Sequence, residues 1–108
     1  MPYRIEYKPI AKAHAAELSA AERSLLAKEI PLQLTHEAET VTRNRKQLQD
    51  NPVARWSLRV QDLRVYYDVE KEPEPSVLIV AIGKKDRARV WIGGQDFSAI
   101  LRGKEPMP

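Results

Sequence analysis

The sequence predicts an α+β fold, with two N-terminal helices packed on a mainly antiparallel sheet of four to five strands. Leu26, Ile30 and Leu34 recur at four-residue spacing, the pattern of a helix with one buried stripe. After Pro52 the period changes to two, as in strands with one wet face. The run VLIVAIG, Val77 to Gly83, is apolar throughout and predicts a strand covered on both faces, hence central in the sheet.

Taken in order, YRIEY (Tyr3 to Tyr7) alternates and is β-prone, so it predicts a first strand that Pro9 ends. IAKAHAAEL brings Ile10, Ala13 and Leu18 near one helical face. SAAE, Ser19 to Glu22, has the form of a capping box and so starts a second helix. Pro31 lies inside that helix, where it removes one backbone hydrogen bond and is expected to kink or split it. THEAETVTRNRKQLQDNP carries turn residues and little periodicity, and reads as a connection with at most a short helical or extended piece.

In ARWSLRVQDLRVYYDV, Trp56, Leu58 and Val60 alternate with Arg55, Ser57, Arg59 and Gln61. Leu63, Val65, Tyr67 and Val69 then alternate with Arg64, Tyr66 and Asp68. A turn at Gln61 and Asp62 sets Val60 opposite Leu63, Leu58 opposite Val65 and Trp56 opposite Tyr67, all on one face. The other face then pairs Arg59 with Arg64, Ser57 with Tyr66 and Arg55 with Asp68. Gln-Asp suits a two-residue turn poorly, because such turns want positive φ; a register slipped by one, or a longer loop, is the alternative. EKEPEPS is a polar, proline-broken loop, ARVWIGG allows one more short strand, and QDFSAIL a terminal helix before the GKEPMP tail. The other face of the sheet is expected to be polar and basic.

A chain of 108 residues forms one domain, residues 1–108, with enough buried surface for a single core. With 43% hydrophobic and 31% charged residues it is neither a membrane protein nor a disordered tail. It has no cysteine, which excludes disulfides, thiolate metal sites and a cysteine nucleophile. MPYRIEYKPI lacks a signal-peptide core, so the cytoplasm is the expected location. The acids show no metal-ligand spacing and no cofactor is expected. The Gly93–Gly94 pair has no phosphate-loop context.

The net charge is only +3, but its distribution is uneven. Up to Thr40 acids outnumber bases. From Arg43 to Arg64 the bases Arg43, Arg45, Lys46, Arg55, Arg59 and Arg64 face only Asp50 and Asp62, and GKKDRAR adds Lys84, Lys85, Arg87 and Arg89. Brought together, these segments make an anion-binding surface. Arginines opposed across a hairpin repel by a few tenths to about 1 kcal/mol, which a purely structural surface avoids by placing an acid opposite. Two solvated, mutually screened arginines are the plain alternative; a phosphate site is the sharper one, because guanidinium presents a planar donor fork and keeps its charge. Lys84, Lys85 and Arg87 leave the buried strand where a central strand would carry them beside the hairpin face. His14 and His36, the only histidines, are expected to be structural or exposed. Trp56 reads as core, Trp91 as either an edge aromatic or a platform for a nucleobase, and Tyr66 as a hydroxyl facing Ser57.

The order strand, helix pair, WSLRVQDLRVYYDV, acidic loop, VLIVAIGKKDRARVWIGG resembles the RelE/ParE superfamily of toxins from bacterial type II toxin–antitoxin modules over nearly the whole chain. RNRKQLQDNPVARWSLRV is similar to the lead-in of one RelE-like branch. RelE-like toxins are endoribonucleases that cut mRNA in the ribosomal decoding site, inhibiting translation and arresting growth; ParE-like ones share the fold and poison DNA gyrase. The resemblance implies a catalytic set at Arg64 and Lys85, joined by Arg59 and Arg87, with RNA held by Arg55, Lys84, Arg89, Trp91, Arg45 and Lys46. It also implies an antitoxin whose acidic segment covers the basic face. Two lysines of the best-known nucleases correspond to Arg55 and Ser57 here, and a late tyrosine to Trp91. Charge to stabilise a phosphorane is therefore present, while the usual groups for moving a proton are replaced.

Overall fold

The computed structural model describes residues 2–103; of the GKEPMP tail, residues 104–108 lie outside the described residues. Alternation, capping and turn chemistry divide this stretch into β1 (Arg4–Tyr7), α1 (Pro9–Ala16), α2 (Ala20–Leu34), β2 (Arg45–Gln47), β3 (Trp56–Val60) and β4 (Leu63–Glu70). They continue as β5 (Ser76–Asp86), β6 (Arg89–Ile92), β7 (Gln95–Asp96) and α3 (Ser98–Leu101). The fold is α+β, with three helices and a seven-stranded sheet among the described residues, rather than four to five strands. The added strands are the short β2 and β7, whose sequences carry no two-residue apolar period because they lie at the two ends of the sheet path.

Pro9 does not merely stop β1; it occupies the first turn of α1, where its missing N–H costs nothing. The capping box of α2 is complete: Ser19 Oγ accepts from the Glu22 N–H at 3.1 Å, and Glu22 Oε1 accepts from the Ser19 N–H at 3.0 Å. Pro31 neither splits nor ends α2, which runs unbroken to Leu34. Its ring sits on the exposed side while Leu26, Ile30 and Leu34 are buried.

The sheet order is β2-β3-β4-β5-β6-β7, with β1 pairing β5 off this path. All neighbours on the path are antiparallel, and β1 runs parallel to β5, Arg4 opposite Ser76 through Tyr7 opposite Ile79. The other flank of β5 is held by β4 from Ser76 to Lys84, so β5 is the central strand. The β3–β4 register sets Val60 against Leu63, Arg59 against Arg64, Leu58 against Val65, Ser57 against Tyr66 and Trp56 against Tyr67. The two-residue turn forms at the cost of a left-handed Gln61, with φ of 56°. Between β6 and β7 the chain uses Gly93 and Gly94 at φ of 58° and 80°, the positive pair a tight hairpin turn requires.

A bulge in the β4–β5 ladder skips Val80, so Val77, Ile79 and Ile82 all reach the main core while Ala81 faces the other side. That core joins Ala11, Leu26, Ile30 and Leu34 of the helices to Trp56, Leu58, Val65 and Tyr67 of the hairpin. The Trp56 and Tyr67 rings stack with centroids 6.1 Å apart, and the Tyr67 hydroxyl donates to the Ala38 carbonyl at 2.6 Å. The opposite face is not wholly polar: Ala54, Tyr66, Ala81, Ile92, Phe97, Ile100 and Leu101 form a second cluster there. It shelters part of the basic face and leaves the rest as a walled depression.

Candidate functional site

On the face opposite the main core, strand pairing stacks outward residues into rows. Lys46 of β2 lies opposite Ser57 of β3, which lies opposite Tyr66 of β4. In the next row Arg59 lies opposite Arg64, and Arg64 opposite Gly83 of β5. Lys85, two residues beyond Gly83, points the same way and pairs with Val90. Glycine is required at 83: a Cβ there would lie 2.8 Å from Ile92 Cγ1 and from the Trp91 carbonyl oxygen. The Lys85 N–H donates to the Asp62 carbonyl at 2.7 Å, tying the hairpin turn to β5 beside the basic groups.

These rows form a groove. A depression of about 200 Å³ is lined by Lys46, Ser57, Arg64, Tyr66 and Lys85, with Ser98 and Arg102 from the α3 side. A smaller one of about 120 Å³ adds Arg43, Asn44 and Arg59 and shares Lys46, Ser57, Arg64 and Lys85. The two arginines opposed across the hairpin each have neutral partners. Arg59 Nη2 donates to Asn44 Oδ1 at 3.3 Å, and Arg64 Nη1 donates to the Gln61 and Leu63 carbonyls at 2.8 and 2.9 Å. Burial lowers the Arg64 pKa, as does the charge of Arg59, while Tyr66 and Asp62 pull it up. Guanidinium keeps its charge regardless. Burial pushes the Tyr66 hydroxyl up to about 12, so it stays protonated at working pH. The groove can therefore bind an anion with fixed positive charge and present neutral hydroxyls beside it.

Of the residues expected at the site, Arg59, Arg64, Lys85 and Lys46 come together. Arg87 stands at the exposed β5–β6 turn with φ of 58° and lines neither depression. Lys84 projects to the helix side of the sheet, where its Nζ meets Glu22 Oε2 at 2.6 Å, so adjacent Lys84 and Lys85 serve opposite faces. Trp91, 39% exposed, lies opposite Lys84 and therefore also on the helix side, away from the groove. Arg89 binds Asp96 Oδ2 at 2.7 Å. Asp96 is held down to about 2 by the Ser98 hydroxyl and N–H, and then by Arg89. Arg55 lines a separate depression of about 410 Å³ with Asp68, whose Oδ1 accepts the Arg55 backbone N–H at 2.8 Å.

Arg45 is the clearest departure from expectation. Only 4% exposed, it donates from Nε to the Thr40 carbonyl at 3.0 Å, from Nη2 to Glu37 Oε2 at 2.9 Å, and from Nη1 to the Gln33 carbonyl. A cation at the last turn of α2 satisfies a helix-end carbonyl and complements the dipole. Arg45 thus holds the helix to β2 and has no free donor fork for a phosphate. The sequence, read as a connection here, does not pair Lys46 with Ser57; the signal lies in Arg45 and Lys46 being neighbours, since one must face in if the other faces out. His14 sits on the helix side, its Nδ1 accepting from the Ile82 N–H at 3.2 Å. Among the described residues no three His, Asp or Glu side chains gather as metal ligands. No family model matches the sequence, and no curated protein matches it.

Proposed function

We propose that this chain is the toxin of a bacterial type II toxin–antitoxin module of RelE/ParE kind, a ribosome-dependent mRNA endoribonuclease that inhibits translation and arrests growth in the cytoplasm. One observation carries the reading: Lys46, Arg59, Arg64 and Lys85, from three strand segments and one central strand, converge on one groove around Ser57 on the sheet face away from the main core. A structural surface gains nothing from such a gathering, whereas a scissile phosphate needs it.

In the reaction the ribose 2′-oxygen forms a bond to phosphorus and the bond from phosphorus to the 5′-oxygen breaks. The 2′-hydroxyl proton leaves and a proton reaches the departing 5′-oxygen, giving a 2′,3′-cyclic phosphate and a free 5′-hydroxyl. Arg64 and Lys85 would hold the equatorial oxygens as their charge grows, with Arg59 beside them. The groove's basic surface also fits the acidic segment of an antitoxin, with an association that weakens with salt.

Replacing Arg64 with alanine tests the assignment. Growth inhibition on induction and cleavage of translated mRNA, mapped by primer extension, are expected to fall about 100-fold or more, the scale of one lost donor to the charged phosphorane. Undiminished cleavage sinks it. A second reading, a gyrase inhibitor of ParE kind or a homologue that only binds its antitoxin, is favoured by one observation: among the described residues no histidine or carboxylate lines the groove to take the 2′-proton. A supercoiling assay with purified gyrase, run beside the primer extension, separates the two.

A further inference from the structure

Ser57 and Tyr66 form the floor of the groove and are only 4% and 3% exposed. Neither side-chain hydroxyl makes a hydrogen bond among the described residues. Nor is either sealed in, because no fully enclosed side-chain oxygen or nitrogen is left without a partner. Both hydroxyls therefore open into the depression that Lys46, Arg64 and Lys85 surround. A hydroxyl that opens into such a depression pairs with solvent there, and a polar group of a ligand can take the water's place.

The chemistry of the pair differs from that of its rim. Arginine and lysine only donate, and a phosphate oxygen only accepts, so the rim alone is matched to phosphate. A hydroxyl both donates and accepts. Two of them facing each other across β3 and β4 match a neutral group that also does both, placed next to a phosphate. The ribose 2′-hydroxyl is such a group, one carbon away from the 3′-phosphate. The Tyr66 ring is held by Ala54, Ala81 and Leu101 in the second cluster, so its hydroxyl is positioned before any ligand arrives.

We infer that Ser57 and Tyr66 together read the 2′-hydroxyl of a nucleotide whose phosphate lies against Arg64 and Lys85, so that the groove selects RNA over DNA of the same sequence. This rests on the groove being a nucleic-acid phosphate site, as proposed above, but not on cleavage. The raised Tyr66 pKa agrees with it, since the phenol stays a neutral donor and acceptor across the working range.

The test is fluorescence anisotropy of the full chain at one low salt concentration with three labelled oligonucleotides of identical sequence: RNA, DNA and 2′-fluoro RNA. The wild type is expected to bind RNA about two- to tenfold more tightly than DNA, the worth of one or two neutral hydrogen bonds. The 2′-fluoro strand keeps an RNA-like pucker without the hydroxyl proton, and is expected to bind like DNA. Tyr66→Phe, which keeps the ring, and Ser57→Ala should each move the RNA-to-DNA ratio toward one while leaving DNA affinity in place. Arg64→Ala should weaken all three strands alike. Equal wild-type affinity for RNA and DNA, no measurable binding of either, or a Tyr66→Phe variant of unchanged melting temperature that loses RNA and DNA equally, overturns the inference. Should one variant fail to fold, the wild-type ratio and the other variant decide. RNA preference without mRNA cleavage would leave this inference standing and sink the nuclease, and cleavage without sugar preference would do the reverse.

Discussion

Arg45 and Lys46 show how far apart two neighbouring bases can be in purpose. Arg45 is enclosed and spends its donors on the Thr40 and Gln33 carbonyls and on Glu37, while Lys46 lines the groove opposite Ser57. Arg45→Ala would remove the donors to the Thr40 and Gln33 carbonyls and to Glu37, at about 1 kcal/mol each, and loosen the end of α2. It is therefore expected to lower stability by about 2 to 3 kcal/mol, read as a lower urea midpoint, without changing the RNA binding proposed above for the folded protein. A normal midpoint with weakened binding would return Arg45 to the recognition set. The opposed Arg59 and Arg64 were legible at this scale because strand alternation and like-charge repulsion are both local. The separation of Lys84 from Lys85 was hidden by Gly83: a glycine ending an apolar run reads as a strand end, whereas β5 continues to Asp86 and keeps alternating.

At the level of elements, the hairpin register was legible down to individual pairs, since one buried face leaves a single alignment for Trp56, Leu58 and Val60 against Leu63, Val65 and Tyr67. The turn between them is what the sequence argues against, and β3 and β4 impose it by placing Gln61 in a left-handed conformation. Removing that mismatch should help: Gln61→Gly is expected to raise stability by a few tenths to about 1 kcal/mol, less than the full left-handed cost because glycine also loses more entropy on folding. An equilibrium urea titration checks it, and a destabilised variant would mean that the Gln61 side chain contributes more than the strain costs. The β2 and β7 strands escaped sequence reading for one physical reason. Each is two or three residues long with little apolar content, so each exists because a neighbour offers a free edge rather than because of its own pattern. The same holds for α3, whose apolar residues were visible but whose docking over Tyr66 depends on distant contacts.

Across the whole molecule, the two faces of β5 separate two sets of titratable groups. His14 docks α1 to β5 through the Ile82 N–H, with Glu17 on its own helix and Glu22 and Lys84 lining the same depression. Burial lowers its pKa from the ordinary 6.5, and Glu17 opposes the shift. A histidine held neutral by folding stabilises fully above 6.5, and that contribution is lost as pH falls from there toward the lowered value. Thermal melts between pH 7.5 and 5 should therefore show the wild type losing stability relative to His14→Asn, which does not titrate; parallel curves would mean that protonation leaves the α1–β5 joint intact. No helix among the described residues is long and apolar enough to cross a membrane. What could not be read from sequence at this scale is that β1, first of the strands in this sheet, has its partner in residues 76–79. The same late strand brings Lys85 to the groove and seats Gly83 against Arg64. Until synthesis has passed β5, β1 has no ladder to join and the groove lacks Lys85. A nascent chain can thus gather Lys46, Arg59 and Arg64 on neighbouring strands early, but the groove gains Lys85 only when β5 closes the fold.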